Sequence, residues 1–159
     1  MTNNDILRRL RYAFDLSDAQ AAEYCSLDPS STAAMDKAAI SARLLADDDE
    51  NQVPCSDPEL CAFLDGLIVA RRGLREGVIA TPPKPADFRL SKNDILKKLR
   101  IAMGFREAEM LDTLSAGGVE LSKSELGALF RSPGHKHYRT CGNQVLRAFI
   151  KGLTASQRS

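Results

Sequence analysis

The sequence has 159 residues, and its 22 basic and 21 acidic side chains leave a net charge of +1. Leu and Ala supply 40 residues, whereas Val and Ile supply 12, and this balance favours helices over strands. No window approaches the roughly 18 apolar residues of a membrane-spanning helix and no signal-like segment opens the chain, so we expect a cytoplasmic protein without a membrane segment.

A motif at the start of the chain returns 89 residues later. Asn-Asp-Ile-Leu-Arg-Arg-Leu-Arg at 4–11 returns as Asn-Asp-Ile-Leu-Lys-Lys-Leu-Arg at 93–100. A second block, Ala-Phe-Leu-Asp-Gly-Leu at 62–67, returns as Ala-Phe-Ile-Lys-Gly-Leu at 148–153, with an offset of 86. Two ordered matches of this kind indicate an internal duplication.

Each copy predicts four helices, because capping residues precede segments whose apolar side chains follow a three–four spacing. In the first copy the helices begin at Thr2-x-x-Asp5, at Ser17-x-x-Gln20, at Asp36, and at Asp57 followed by Pro58. In the second copy they begin at Ser91-x-x-Asp94, near Arg106, at Ser122-x-x-Glu125, and at Asn143. Gly73 is expected to end the fourth helix, and Gly117-Gly118 to form a turn that ends the sixth.

Three prolines in four positions, Pro82, Pro83 and Pro85, predict an extended connector between the copies. Phe88 and Leu90 favour attachment of its end to the second copy. The predicted organisation is an acidic helical repeat at 1–73, a Pro-rich connector at 74–90 and a basic helical repeat at 91–159. We expect an all-α protein of two tandem four-helix units packed into one compact pseudo-twofold protein, with the first helices at the shared interface.

The opening Asn-Asp-Ile-Leu-x-x-Leu-Arg-x-Ala, its return at Asn93, and the stretch Leu-Phe-Arg-Ser-Pro-Gly-His-Lys-His-Tyr-Arg at 129–139 resemble the YehS-like family of small bacterial proteins. The resemblance covers nearly the whole chain. It implies a cytoplasmic bacterial protein of unassigned function, and it supplies no catalytic residues.

The charge is divided unequally between the copies. Residues 1–88 carry a net charge of −6, and residues 89–159 carry +7. The loop before the fourth helix contains Asp47-Asp48-Asp49-Glu50, whereas the matching loop of the second copy is basic and runs from Arg131 to Arg139. The two loops therefore have opposite chemistry at equivalent positions.

The basic loop, with a tyrosine inside it, is typical of a surface that holds a phosphate backbone and stacks a base. The candidate polyanion-binding residues are Lys97, Lys98, Arg100, Arg131, Lys136, Tyr138 and Arg139. Alternatively, the charges are solvated faces, or the two copies attract each other within one protein or between protomers. The seven-residue connector between Leu114 and Ser122 exceeds the turn of a standard helix-turn-helix, so only a looser variant of that motif remains open.

The residues do not assemble an active site. His135, His137 and Cys141 have a spacing that zinc or copper could use, but the first copy does not repeat the set. Buried, reduced cysteines are the simpler interpretation of Cys55 and Cys141. We therefore expect no catalytic residue, no cofactor and no metal, and a non-catalytic binding or adaptor protein that meets a protein partner or a second copy through charged faces. The alternative is a nucleic-acid-binding regulator that uses the basic repeat.

Overall fold

A computed structural model describes residues 1–31, 33–74, 84–85 and 87–159. This part of the chain is all helical and contains no strand, which confirms the predicted fold class. The helices are α1 (Asn3–Ala13), α2 (Asp18–Tyr24), α3 (Lys37–Leu44), α4 (Asp57–Arg72), α5 (Lys92–Met103), α6 (Glu107–Ala116), α7 (Lys123–Ala128) and α8 (Asn143–Gln157). None of these described helices is long and apolar enough to cross a membrane.

The chain forms two compact units, Met1–Leu90 and Ser91–Ser159. In the first unit α2 packs against α3 and α4, and α1 packs against the same two helices. In the second unit α6 packs against α7 and α8, and α5 packs against α8. The largest fully buried side chain of the first unit is Phe63, and that of the second is Phe149.

Serine side chains cap the N-termini of four of the described helices. Ser17, Ser56, Ser91 and Ser122 each accept a hydrogen bond from the backbone three residues on, where a Gln, Glu or Asp side chain accepts one in return. As predicted, α4 begins at Asp57 and α8 at Asn143, but in each case the cap position belongs to the residue before. Ser56 caps α4 instead of Asp57, since its hydroxyl reaches the Glu59 backbone, and Gly142 precedes Asn143 at the start of α8.

Glycines allow the close helix crossings in each core. A Cβ atom on Gly66 in α4 would lie 1.6 Å from the backbone oxygen of Tyr24 in α2. Its repeat partner, Gly152 in α8, would place a Cβ 2.0 Å from the backbone oxygen of Thr113. The repeated block that contains these glycines therefore marks one helix contact, made once in each unit.

Pro82 and Pro83 of the predicted connector lie outside the described residues. The end of the connector contacts the first unit, whereas the sequence suggested attachment to the second. The Leu90 N–H donates a hydrogen bond of 2.8 Å to Asp57, and Lys84 lies 4.0 Å from the carboxylate of Asp65. Acidic side chains on α4 therefore hold this segment, and not only its apolar residues Phe88 and Leu90.

Candidate anion-binding cleft

A buried asparagine holds the basic loop against α5. The Asn93 side-chain nitrogen donates hydrogen bonds to the backbone oxygens of Leu129 (2.9 Å) and Arg139 (2.8 Å). Its oxygen accepts a hydrogen bond from the backbone N–H of Cys141 (2.9 Å). Asn93 is only 7% exposed, so these bonds satisfy polar groups that would otherwise be costly to bury. The two ends of the loop are thereby fixed to one side chain.

The acidic loop of the first unit has the same arrangement around Asn4. The Asn4 side chain donates to Arg43 and Val53 and accepts from Cys55, at 2.9 to 3.0 Å. These partners lie 86 residues before those of Asn93, and the backbone turns inside the two loops also correspond. The opposite charges of the loops are therefore carried by one common backbone fold. The Asn at both motif starts was the available sequence signal, but its role was not predicted.

The second unit has an open cleft of about 500 Å³ between α5 and the basic loop. Three of the seven predicted binding residues line it, namely Lys97, Arg131 and Tyr138, together with Ser132 and Phe130. Lys97 and Arg131 are exposed, and no ion pair joins either one to another described residue. The one carboxylate of the lining, Asp94, accepts a hydrogen bond from the Ser91 backbone at the start of α5. Two unpaired cations thus face one accessible space.

The corresponding place in the first unit is occupied by Arg8, the repeat partner of Lys97. Its guanidinium donates to the Leu45 backbone oxygen (2.9 Å) and to the Asp47 carboxylate (3.0 Å). Gln52 donates to the same two acceptors. These hydrogen bonds hold the pKa of Asp47 below its ordinary value, with the bond from Gln52 as the larger cause and that from Arg8 next. The second unit has Arg131, Pro133 and Tyr138 at the positions of Leu45, Asp47 and Gln52, and therefore cannot form this closure.

The other predicted residues lie outside the lining of the cleft. The Arg100 guanidinium lies 4.7 Å from the centre of the Phe130 ring and donates to the Phe105 backbone oxygen, so it supports one wall. Lys98 is half-buried on α5, and Lys136 is exposed at the tip of the loop. The predicted strip Lys97–Lys98–Arg100 therefore does not act as one surface.

Arg139 lies on a neighbouring surface beside α7. It forms an ion pair of 3.2 Å with Glu125, and hydrogen bonds from the Ser122 backbone and hydroxyl, followed by that from Arg139, hold the pKa of Glu125 below its ordinary value. Arg131 contributes to the edge of this surface as well as to the cleft. Arg139 therefore already has an anionic partner within the protein.

The histidines and Cys141 are not gathered into one site. The His135 and His137 rings are exposed and lie 5.5 Å apart, whereas Cys141 is buried and bonded through its backbone to Asn93. Burial raises the pKa of the Cys141 thiol to about 11. Within the described residues, no group of three His, Cys, Asp or Glu side chains is placed to hold a metal ion. Cys55 and Cys141 are buried and unpaired, as predicted.

Comparison with known proteins gives a family without an assigned function. The model of a protein family described as "Protein of unknown function (DUF1456)" matches residues 3–73 and again residues 92–159. The chain is also 36% identical over 157 residues to the uncharacterized protein YehS of Escherichia coli strain K12, across 99% of this chain and 97% of that protein. These matches confirm the YehS-like resemblance and agree with the internal repeat. No solved structure matches the chain.

Proposed function

The chain belongs to the DUF1456 family of proteins of unknown function, and we propose that it is a non-catalytic, cytoplasmic binding or adaptor protein that holds an anionic group of its partner. The observation that carries the proposal is the difference between the two units. Arg8 and Asp47 close the first unit with an internal ion pair, whereas Lys97 and Arg131 face an open cleft. The second unit therefore offers cations where the first uses them internally.

The lining of the cleft suits a carboxylate or a phosphate. A guanidinium can bind either group through two parallel hydrogen bonds, and an ammonium adds a compact charge. The Ser132 and Tyr138 side chains supply hydroxyl groups at the same cleft. An acidic side chain of a protein partner is the first candidate. One carboxylate in the cleft is the only charged contact that such a partner needs, and the rest of its interface can lie outside the cleft.

Nucleic-acid binding is the second candidate function, and it is favoured by the aromatic residues of the cleft. Tyr138 and Phe130 line the same space as Lys97 and Arg131. A base stacked on an aromatic ring with its phosphate beside a cation is the usual arrangement in single-strand recognition. Binding of this kind weakens steeply as the salt concentration rises, because the displaced counterions are then released into a more concentrated solution.

The test is fluorescence anisotropy of the full chain with four labelled probes: single- and double-stranded DNA, single-stranded RNA, and poly-glutamate. Binding is measured at low and at physiological salt. The variant Lys97→Ala/Arg131→Ala is compared with Arg72→Ala/Arg106→Ala, which removes the same charge from exposed positions outside the cleft.

We expect the cleft variant to lose at least tenfold in affinity and the control variant to keep most of it. Preference for poly-glutamate supports the adaptor function, and preference for single-stranded nucleic acid supports the second candidate. If both variants weaken binding equally, or no probe binds at low salt, the cleft is not an anion site.

A further inference from the structure

In the first unit, the described end of the connector lies along α4. Lys84 approaches Asp65 in the third turn of the helix, and the Leu90 N–H bonds to Asp57 at its first residue. Asp57 and Asp65 are eight residues apart, or about 12 Å along a helix. The described residues of this segment, 84–85 and 87–90, therefore follow α4 in the opposite direction, and an acidic side chain contacts each end.

Side chains of α4 beside this segment are buried or half-buried. Cys61 lies between the two acidic residues and is 1% exposed, and Asp57, Pro58 and Asp65 are half-buried. Only about 10 Å³ of open space remains among Pro58, Asp65 and Lys84. The first unit thus has a segment seated on this face of its fourth helix, in which the Phe88 N–H donates to the Pro85 oxygen (3.0 Å).

The equivalent face of α8 is uncovered in the described structure. The repeat places Asn143, Gln144, Arg147 and Lys151 at the positions of Asp57, Pro58, Cys61 and Asp65, and all four side chains are exposed. A groove of about 200 Å³ lies here, between α8 and the Gly117-Gly118 turn. No ion pair joins Arg147 or Lys151 to another described residue.

The wall of this groove is fixed by backbone contact. A Cβ atom on Gly117 would lie 1.8 Å from the backbone oxygen of Ala148, so the turn packs directly on α8. Gly118 has a φ of +97°, which favours glycine and ends the helix there. Arg147 and Lys151 therefore lie beside a formed groove and are not simply charges on an isolated helix surface.

We propose that the groove on α8 binds an acidic peptide segment of a protein partner. The segment takes the place that residues 84–85 and 87–90 have on α4, it runs antiparallel to α8, and it carries a carboxylate opposite Lys151. The charge relation is inverted: the first unit pairs a connector lysine with a helix aspartate, and the second pairs a helix lysine with the partner's acid. This surface is separate from the Lys97–Arg131 cleft, so it does not depend on the function proposed for that cleft.

The experiment uses the full chain and two synthetic peptides with the sequence of residues 84–90, one unchanged and one with Lys84→Glu. Binding is followed by the amide shifts of Gly118 and of residues 144–151 in two-dimensional NMR spectra at low salt. The Lys84→Glu peptide should bind this face about fivefold more tightly than the unchanged peptide, which is the scale of one exposed ion pair.

Variants then reverse the preference. Lys151→Asp restores the charge found at Asp65, so it should weaken binding of the Lys84→Glu peptide about fivefold and improve that of the unchanged peptide. The variant Lys97→Ala/Arg131→Ala should leave both affinities unchanged. Equal affinity for the two peptides, or shifts confined to the Lys97–Arg131 cleft, would overturn the proposal. The α8 variant lies at an exposed position, and its helical circular dichroism checks that the fold is retained.

Discussion

Asn4 and Asn93 make the same three hydrogen bonds, each within its own unit. Each side-chain nitrogen donates to two backbone oxygens at the ends of a loop, and each oxygen accepts from the N–H of a buried cysteine. The repeated motif at the start of each copy therefore includes the residue that fixes the charged loop.

Replacing Asn93 with Ala should lower the free energy of unfolding by about 3 kcal/mol, because three backbone groups lose their partner in a nearly water-free site. Urea denaturation monitored by circular dichroism measures the change. Asn143→Ala, at an exposed position on α8, is the matched control and should change stability by less than about 0.5 kcal/mol. Equal effects of the two changes would contradict the role assigned to Asn93.

The helix crossings predict opposite effects for two glycine substitutions. Gly152→Ala should destabilise the chain by about 3 kcal/mol or more, since its Cβ would overlap the Thr113 backbone. Gly127→Ala should stabilise it by about 0.5 kcal/mol, because a Cβ on Gly127 meets nothing within 4 Å and Ala is the better helix former. Thermal unfolding of both variants tests this sign difference.

The ion pair between Arg43 and Glu59 predicts a pH dependence of stability. Burial acts to raise the pKa of Glu59, but hydrogen bonds from Arg43 and Ser56 outweigh it and hold the pKa below its ordinary value of 4.5. A carboxyl whose pKa is lower in the folded state stabilises the fold above its unfolded pKa. That contribution is lost as the pH falls through 4.5 and then through the lower folded value.

Stability should therefore decline between neutral and acidic pH more steeply in the wild type than in Glu59→Gln, which cannot titrate. Urea midpoints between pH 7 and pH 3 give the comparison. Glu50→Gln, at an exposed position in the acidic loop, should follow the wild type. Parallel curves for wild type and Glu59→Gln would show that the pair does not have this effect.

All four cysteines are expected to react slowly in the folded protein. Burial, as the largest cause, raises the pKa of Cys25 and Cys55 to about 12 and that of Cys141 to about 11, and Cys61 is buried as well. A thiol-specific reagent at pH 8 should label less than one cysteine rapidly in buffer. In denaturant all four should react, because unfolding removes the burial that raises the thiol pKa. The thiolate, which is the reactive form, is then available at pH 8. Rapid labelling of Cys141 in buffer would show that its site opens.

The closure seen in the first unit can be transferred to the second. Lys97→Arg/Pro133→Asp recreates Arg8 and Asp47 at their repeat positions, so it should occupy the cleft and reduce anion binding about tenfold although Arg131 is retained. Lys97→Arg/Gly134→Asp adds the same charges one position further along the loop and should keep more of the affinity. The anisotropy assay compares them, and equal losses would show that net charge alone controls binding.

The sequence predicted the features that depend on neighbouring residues. The repeat, the helical fold and most helix starts follow from local patterns, because a capping hydroxyl and its partner lie three residues apart. Asn4 and Arg8 were not assigned a role, since their partners lie 37 to 51 residues away and only the folded loop brings them together. The predicted anion-binding residues also included Lys98, Arg100 and Arg139, on the basis of charge alone. The helix positions of the first two and the ion pair between Arg139 and Glu125 place these three side chains outside the cleft lining.

The partners of Asn4 and Asn93 are backbone atoms, which every amino acid except proline supplies in full. A loop fixed in this way keeps its path whatever side chains it carries. After duplication, one copy was thus free to accumulate aspartates and the other arginine, lysine and histidine, with little penalty to folding. The asparagine is what makes the surface chemistry of each half independently variable in evolution.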